Sequence, residues 1–433
     1  MWFTPAKNVC REEIGKVAQV SGRWSNYFSP AGSLCHSEAM TRTEKLLAEL
    51  IALPSVNPAF VPPASVGPRC RAAMDDRQVV ATRFGERNVA DFLATVAARA
   101  GLEVEFQKVL ADGHHRSNVF ARLLPTGKIR QTVLLAPHLD TVGADDSQFV
   151  PRKKNGRLYG RGACDTKGSV AAMLAALGEL ANSKSRPQET EIIFAGLVDE
   201  ENAQAGSRAL VASRFKADFA IVGEPTRLQV VTAHKGSLWL QLETRGKAAH
   251  GATPQLGQNA VHEMARIVDA LETHYTARLR RRRHPQLGPA TVNVGMISGG
   301  AQPNIVPDRC AITIDRRTLP GETEADVRRE ITALLRAKRL SAKIASTKLA
   351  PCLPLETSPK LPLVRQFLRS IGQTRPAGVD FFCDAAVLSE GGIPSVVFGP
   401  GDIAQAHTAD EWISLDSLER GKNLLLRFLK SLP

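Results

Sequence analysis

No apolar run in the 433 residues approaches the roughly 18 needed to cross a bilayer, so no membrane-spanning helix is expected. Aromatic residues make up only 5%, which leaves little surface for stacking single-stranded bases. The seven cysteines (10, 35, 70, 164, 310, 352 and 383) are scattered, odd in number and never paired as CxxC. They give neither a zinc finger nor a disulfide scaffold, and they predict reduced thiols in a cytoplasmic protein. The N-terminus lacks a charged start followed by an apolar stretch, so no secretory signal is read there. What remains is an ordinary globular composition, 43% hydrophobic and 23% charged. The length suits two or three domains at roughly 100–200 residues each.

Lysine and arginine outnumber the acids 56 to 43, giving a net charge of +13, part of it in Arg278 and Arg280–Arg283. Such an excess can steer an anionic ligand or hold nucleic acid. The competing reading is a solvated basic surface, and the run falls at the end of a helical pattern, where cations suit the helix dipole. Neither nucleic acid nor membrane is expected as a partner.

Residues 1–40 are aperiodic and are expected to be poorly ordered. A clean amphipathic helix begins only after Met40, with Leu46, Leu47, Leu50 and Ile51 at helical spacing, which predicts Met40 as the start of the folded protein. Beyond it, short apolar runs read as buried strands: Val133–Ala136, Ile192–Leu197, Phe219–Val222 and Ser395–Phe398. Helical patterns lie between them at Val89–Ala100, Gly168–Ala181 and Ser207–Arg214. This alternation predicts an α/β fold, a mostly parallel sheet flanked by helices, as the catalytic domain in two parts, 41–228 and 347–433.

Between them, residues 229–346 change rhythm. Half-exposed strands (Ser237–Glu243, Thr291–Ile297, Cys310–Asp315 and one near Ala342–Ser346) enclose two helices, Asn259–Arg282 and Glu322–Lys338. Val261, Met264, Val268, Leu271 and Tyr275 form one stripe on the first. The β-α-β-β-α-β order predicts an inserted ferredoxin-like α+β domain.

Each buried-type strand ends in a potential metal ligand. The first runs into His138 and Asp140, the second into Asp199-Glu200-Glu201, the third into Glu224, and the fourth leads to His407. Carboxyl ends of strands in open α/β sheets form the ligand crevice, so these groups should converge. Asp165 lies in a glycine-bearing loop before a helix. Singly, each is more often a structural histidine or a solvated acid; the joint placement carries the argument. Two histidines and three carboxylates without thiolate suit zinc, with manganese or cobalt as competitors. If Asp165 bridges, each of two divalent ions takes one histidine, one glutamate and one shared oxygen, the stoichiometry of a two-metal hydrolase. Asp140 is placed to orient the imidazole of His138. Glu200, beside a ligand but without a metal role, is the candidate general base.

The motifs PHLDTV (137–142), GRGACDTKG (160–168), DEE (199–201), GEPT (223–226) and GPGDIAQAHTADEW (399–412) resemble those of the dinuclear zinc aminoacylases and exopeptidases. That family includes acetylornithine deacetylase, succinyl-diaminopimelate desuccinylase and glutamate carboxypeptidase, and the likeness covers about residues 41–433. The resemblance implies one ion held by His138, Asp165 and Glu224, the other by Asp165, Glu201 and His407. It also implies that the inserted domain acts as lid and dimerisation surface. His250 would polarise the scissile carbonyl in the partner subunit's site, and Asn304 and Arg317 would bind the substrate's carboxylate, with Arg316 adjacent as a competitor. The histidine motif and TLPG are most like the acetylornithine deacetylase type. The expected reaction is hydrolysis of an N-acyl amino acid, most simply N2-acetylornithine, by a homodimer. A dipeptidase, carboxypeptidase or desuccinylase would use the same centre. The proline-bearing stretch 59–83 is expected to form a wall of the cleft.

Overall fold

The computed structural model describes residues 40–60, 85–111, 113–348 and 350–433. The expectations for residues 1–40 and 59–83 lie outside the described residues, save Met40, Ala59 and Phe60. The first helix, α1 (Arg42–Ile51), starts where Thr41 Oγ1 accepts the Glu44 N–H at 3.1 Å. It buries Leu46, Leu47, Leu50 and Ile51, the stripe expected from spacing. Next comes α2 (Arg87–Arg99), ahead of the large sheet.

That sheet takes β1 (Glu103–Ala111), β2 (His114–Leu123), β3 (Gln131–Pro137), β4 (Thr190–Gly196), β5 (Phe219–Gly223) and β6 (Val231–His234). The chain then leaves through β7 (Gly236–Arg245), β8 (Thr291–Gly299), β9 (Arg309–Thr318) and β10 (Lys343–Ser346). It returns as β11 (Leu355–Glu356), β12 (Ala377–Val379) and β13 (Ser395–Val397). The large sheet runs β1-β2-β4-β3-β5-β13-β6-β11, with β12 beside β6. Its centre is parallel (β4 with β3, β3 with β5, β5 with β13), while β1 and β2 add antiparallel strands at one margin.

Burial on both faces explains why the central strands read as unbroken apolar runs. Val133, Leu135, Ile192, Phe194, Phe219 and Ile221 face α1, α2, α3 (Lys167–Ala181) and a C-terminal helix. The alternate residues Leu134, Ala136, Ile193, Ala195, Ala220 and Val222 face the other side, with Leu210 of α4 (Ala205–Ala212). Each fully buried Val, Leu, Ile or Phe side chain among these contributes about 1.5–3 kcal/mol.

The four strands of the excursion form an antiparallel sheet ordered β8-β9-β7-β10. On it pack α5 (Ala260–Ala270) and α6 (Glu324–Ala337), through Met264, Ile267, Ile331 and Leu335 against Leu240, Ile312 and Ile314. The β-α-β-β-α-β order is therefore the one read from the alternation. The first helix differs in detail. A π-turn at Leu271–Tyr275 follows α5 before the helix continues through Thr276–Arg280. The extra residue keeps Leu271, Tyr275 and Leu279 all buried, whereas Val261 and Val268 of the expected stripe are only partly covered.

Candidate metal centre

β4, β3, β5 and β13 are adjacent and run the same way, so their carboxyl ends open on one edge of the sheet. Leu197–Glu201, His138, Glu224 and the loop leading to His407 all emerge there. Asp165 is brought in by the loop before α3. His138 Nε2 faces Asp165 Oδ1 at 3.1 Å and Glu224 Oε1 at 3.9 Å. On the other side, His407 Nε2 lies 3.4 Å from Asp165 Oδ2 and 3.2 Å from Glu201. Asp165 thus offers one oxygen to each imidazole. His138, Asp165 and Glu201 bring ligand atoms within 4.8 Å of one another, so Glu201 is in reach of the His138 side as well.

His138 is also held from its other ring nitrogen. Its Nδ1 is 3.0 Å from the Asp140 backbone oxygen and 3.4 Å from Asp140 Oδ1, leaving Nε2 to face the acids. Asp140 also accepts the N–H of Glu200 and of Glu201, each at 3.1 Å. One carboxylate therefore fixes both the imidazole and the DEE turn. Glu200 itself is buried, and its carboxylate makes no hydrogen bond or ion pair among the described residues.

Electrostatics make the cluster receptive to cations. Among the described residues no lysine or arginine pairs with Asp165, Glu201 or Glu224. Burial, reinforced by neighbouring carboxylates, pushes Glu200 and Glu224 well above the usual carboxylate range. Hydrogen bonds donated to the Asp165 and Glu201 carboxylates raise His407 to about 10. Burial acts against it, yet hydrogen bonds to Asp140 and Asp165 raise His138 too. The bare chain must hold protons to offset its own negative charge, and a donor set of imidazole nitrogen and hard oxygen fits divalent ions.

Several residues around the centre were not singled out from sequence. Asn57 Nδ2 bridges Asp140 Oδ2 (2.8 Å) and Asp199 Oδ1 (2.9 Å). Arg116 binds Glu86 at 3.1 Å and Asp199 at 2.9 Å, all three buried. Asp199 holds φ 68°, a left-handed conformation that turns the chain between β4 and Glu200. Asp384 accepts from Ser207 Oγ at 2.6 Å, and burial raises it to about 6. Asp199 and Glu411 stood inside quoted motifs; Asn57, Arg116 and Asp384 carried no signal of spacing.

His250, Asn304 and Arg317 lie on the smaller sheet's part of the chain. His250 is exposed and pairs with Ile305, and Gly251 donates to the Asn304 carbonyl at 2.7 Å. His250 Nδ1 accepts the Ala252 N–H at 3.1 Å, and no bond joins it to the carboxylate cluster. The two adjacent arginines are distinguished by burial. Arg316 is wholly buried, bound to both oxygens of Glu322 at 3.0 Å and to Tyr275 Oη at 3.2 Å. Arg317 is partly exposed, steadied by Asp315 at 2.9 Å, with its guanidinium 5.8 Å from the centre of the Phe382 ring.

Comparison with known proteins agrees with this geometry. The model of "Peptidase family M20/M25/M40" matches residues 134–431. The chain belongs to that family. It is a metallo-hydrolase of the M20 type, acting on amide or peptide bonds. An acetylornithine deacetylase of Myxococcus xanthus is 32% identical over 376 residues, 83% of this chain and 96% of that protein. A peptidase M20 domain-containing protein of Schizosaccharomyces pombe is 32% identical over 345 residues, 78% of each chain. Among solved structures, the aminopeptidase PepT of Bacillus cereus superimposes with TM-score 0.69 at 23% identity, covering 90% of this chain and 97% of its own. A metallo-carboxypeptidase of Sulfolobus solfataricus gives TM-score 0.67 at 19% identity, covering 90% and 99%. At these identities the structural likeness is one of fold.

Proposed function

We propose that this M20 enzyme hydrolyses N-acyl amino acids, N2-acetylornithine or a close N-acetyl analogue first, with two zinc ions as cofactors. The observation that carries this reading is Asp165, one oxygen turned to each imidazole. His138, Asp165 and Glu224 would hold one ion, and Asp165, Glu201 and His407 the other. Cobalt or manganese would suit the same donors. Bound there, divalent ions would polarise the amide carbonyl and acidify a water.

The remaining steps belong to the chain. Asp140 keeps the imidazole of His138 turned so that Nε2 faces the acids. Glu200, buried and without a side-chain hydrogen bond among the described residues, takes the proton of the attacking water and passes it to the departing amine nitrogen. His250 donates to the oxyanion that forms on the acyl carbon. Arg317 and Asn304 bind the free carboxylate, a planar guanidinium being suited to bidentate recognition. Arg316 is spent on Glu322, which favours Arg317 for that task.

Relatives 30–32% identical and named acetylornithine deacetylase support the acetyl reading. A panel of N-acetyl amino acids, dipeptides and acetyl amides lacking a carboxylate tests it. Acetyl amino acids should turn over fastest; cleavage of dipeptides alone would overturn it. In the same panel Arg317→Ala should raise KM about tenfold or more for carboxylate-bearing substrates. An equal effect on the carboxylate-free amides would remove Arg317 from that role.

Residues 229–346 are proposed as a separate domain that closes over the substrate and joins two subunits. Strand β8 forms an edge of its sheet with Met296 69% and Ile297 63% exposed, an unpaired apolar border that favours pairing with a second copy. His250 would then serve the partner subunit's centre. Light scattering at micromolar concentration should give twice the chain mass; a monomer active at the same concentration would contradict this arrangement.

A further inference from the structure

Three backbone N–H groups of the loop carrying Asp165 converge on one side chain, that of Glu411. Gly162 donates to its Oε2 at 2.9 Å, while Cys164 and Asp165 donate to Oε1 at 2.8 and 3.0 Å. Arg161 Nη1 adds a bond to Oε2 at 2.8 Å. Glu411 is 1% exposed, and four donors come close to filling the acceptor capacity of a carboxylate. Its backbone takes part as well, since the Gly160 N–H donates to the Glu411 carbonyl at 3.0 Å. Just beyond, Trp412–Ser414 pairs antiparallel with Arg157–Tyr159. The segments 157–165 and 411–414 are thus zipped together.

Glu411 follows His407 by four residues. The His407 loop is also tied near its start, where Cys164 Sγ donates to the Asp402 carbonyl at 3.3 Å, the Arg227 N–H donates to the Gly401 carbonyl at 2.9 Å and the exposed Arg227 guanidinium pairs with Asp402 at 2.9 Å; past His407, Gln148 Nε2 donates to the Ala409 carbonyl at 3.0 Å. His138 and Glu224, by contrast, follow directly from β3 and β5 at the sheet's centre. The side chain of His407 is 53% exposed against 1% for His138. The His138 side of the cluster is therefore built on strands, and the His407 side on a loop whose firmest buried anchor is Glu411. N–H groups aimed at one point form an anion-holding nest, and here the anion is part of the same chain.

We propose that Glu411 is a positioning residue that sets the Asp165 loop and the His407 loop together, and thereby controls occupancy of the ion position on the His407 side. It touches neither substrate nor ion. The inference rests on the reading of His138, Asp165, Glu201, Glu224 and His407 as ligands.

Glu411→Gln keeps the shape but brings an amide NH₂ that must face either the Cys164 and Asp165 N–H groups or the Gly162 N–H and Arg161, so two bonds become donor against donor. The full-length protein, stripped of metal and titrated with Co(II) or Zn(II), provides the test. Wild type should take up two equivalents. E411Q should bind the first within about threefold of wild type and the second about 10–100-fold more weakly, the range for losing a partner that orients a ligand. A merely structural anchor would lower the melting temperature while leaving the two affinities in step. Two equivalents at wild-type affinity, or equal weakening of both, would overturn the proposal. If E411Q does not fold, Glu411→Asp, which keeps the charge but shortens the reach, must show the same split. Failure of the wild-type protein itself to take up two equivalents would instead overturn the ligand assignment, and this inference with it.

Discussion

Replacing Glu200 by glutamine should leave both divalent ions bound and lower turnover by about two orders of magnitude or more. Glu200 sits between two acids with other duties. Asp140 is taken up by His138 and by the N–H groups of Glu200 and Glu201, and Glu201 lies 3.2 Å from His407. The Glu200 carboxylate is buried without a hydrogen bond among the described residues, and burial raises its pKa, which suits a group that must hold a proton in mid-cycle. Glutamine fills the same space, so metal content and fold should not change, while the site for the transferred proton is gone. The loss should appear in kcat with KM little moved. Near-normal turnover in E200Q would dismiss it as the base.

Asp165→Asn should be more damaging still, because one change weakens both ion positions. The carboxylate faces His138 on one side and His407 on the other, and among the described residues it is the one acid within ion-pair distance of both. Removing a unit negative charge about 4 Å from a divalent cation in a partly screened site costs at least about 4 kcal/mol, roughly a thousandfold or more in affinity for each ion. Turnover in D165N should therefore fall further than in E200Q, with metal content below two equivalents after dialysis. Asparagine keeps the size and hydrogen-bonding reach of the side chain, so a folded protein is expected. D165N with two tightly held ions would show that Asp165 is not shared.

The strand-end placement of His138, Glu201 and Glu224 was legible because buried parallel strands announce themselves as short apolar runs, and His407 because its loop follows one of them. Chain direction then tells which end bears the histidine or acid. Asp165 was legible for a different reason, as an acid in a glycine-bearing loop ahead of the apolar helix α3. The margin formed by β1 and β2 was not, because β1 has one wet face and carries Glu103, Glu105 and Lys108 among its apolar residues. Asn57, Arg116 and Glu411 were illegible for a shared reason. Each acts through a partner far away in the chain: 83 residues separate Asn57 from Asp140, and 246 separate Glu411 from Asp165. No local period encodes such a pairing. The π-turn at Leu271–Tyr275 escaped a uniform helical count, since it inserts a residue without breaking the helix. Arg316 and Arg317 could be separated only by burial, because alternation along β9 sends them to opposite faces.

Everything chemical in this account depends on two cations sharing Asp165. Crystals of the full-length protein grown with zinc, and measured on both sides of the zinc absorption edge, address that directly. The account predicts two anomalous peaks, both beside the Asp165 carboxylate, one toward His138 and Glu224 and the other toward Glu201 and His407. A single peak, or peaks away from Asp165, would contradict it.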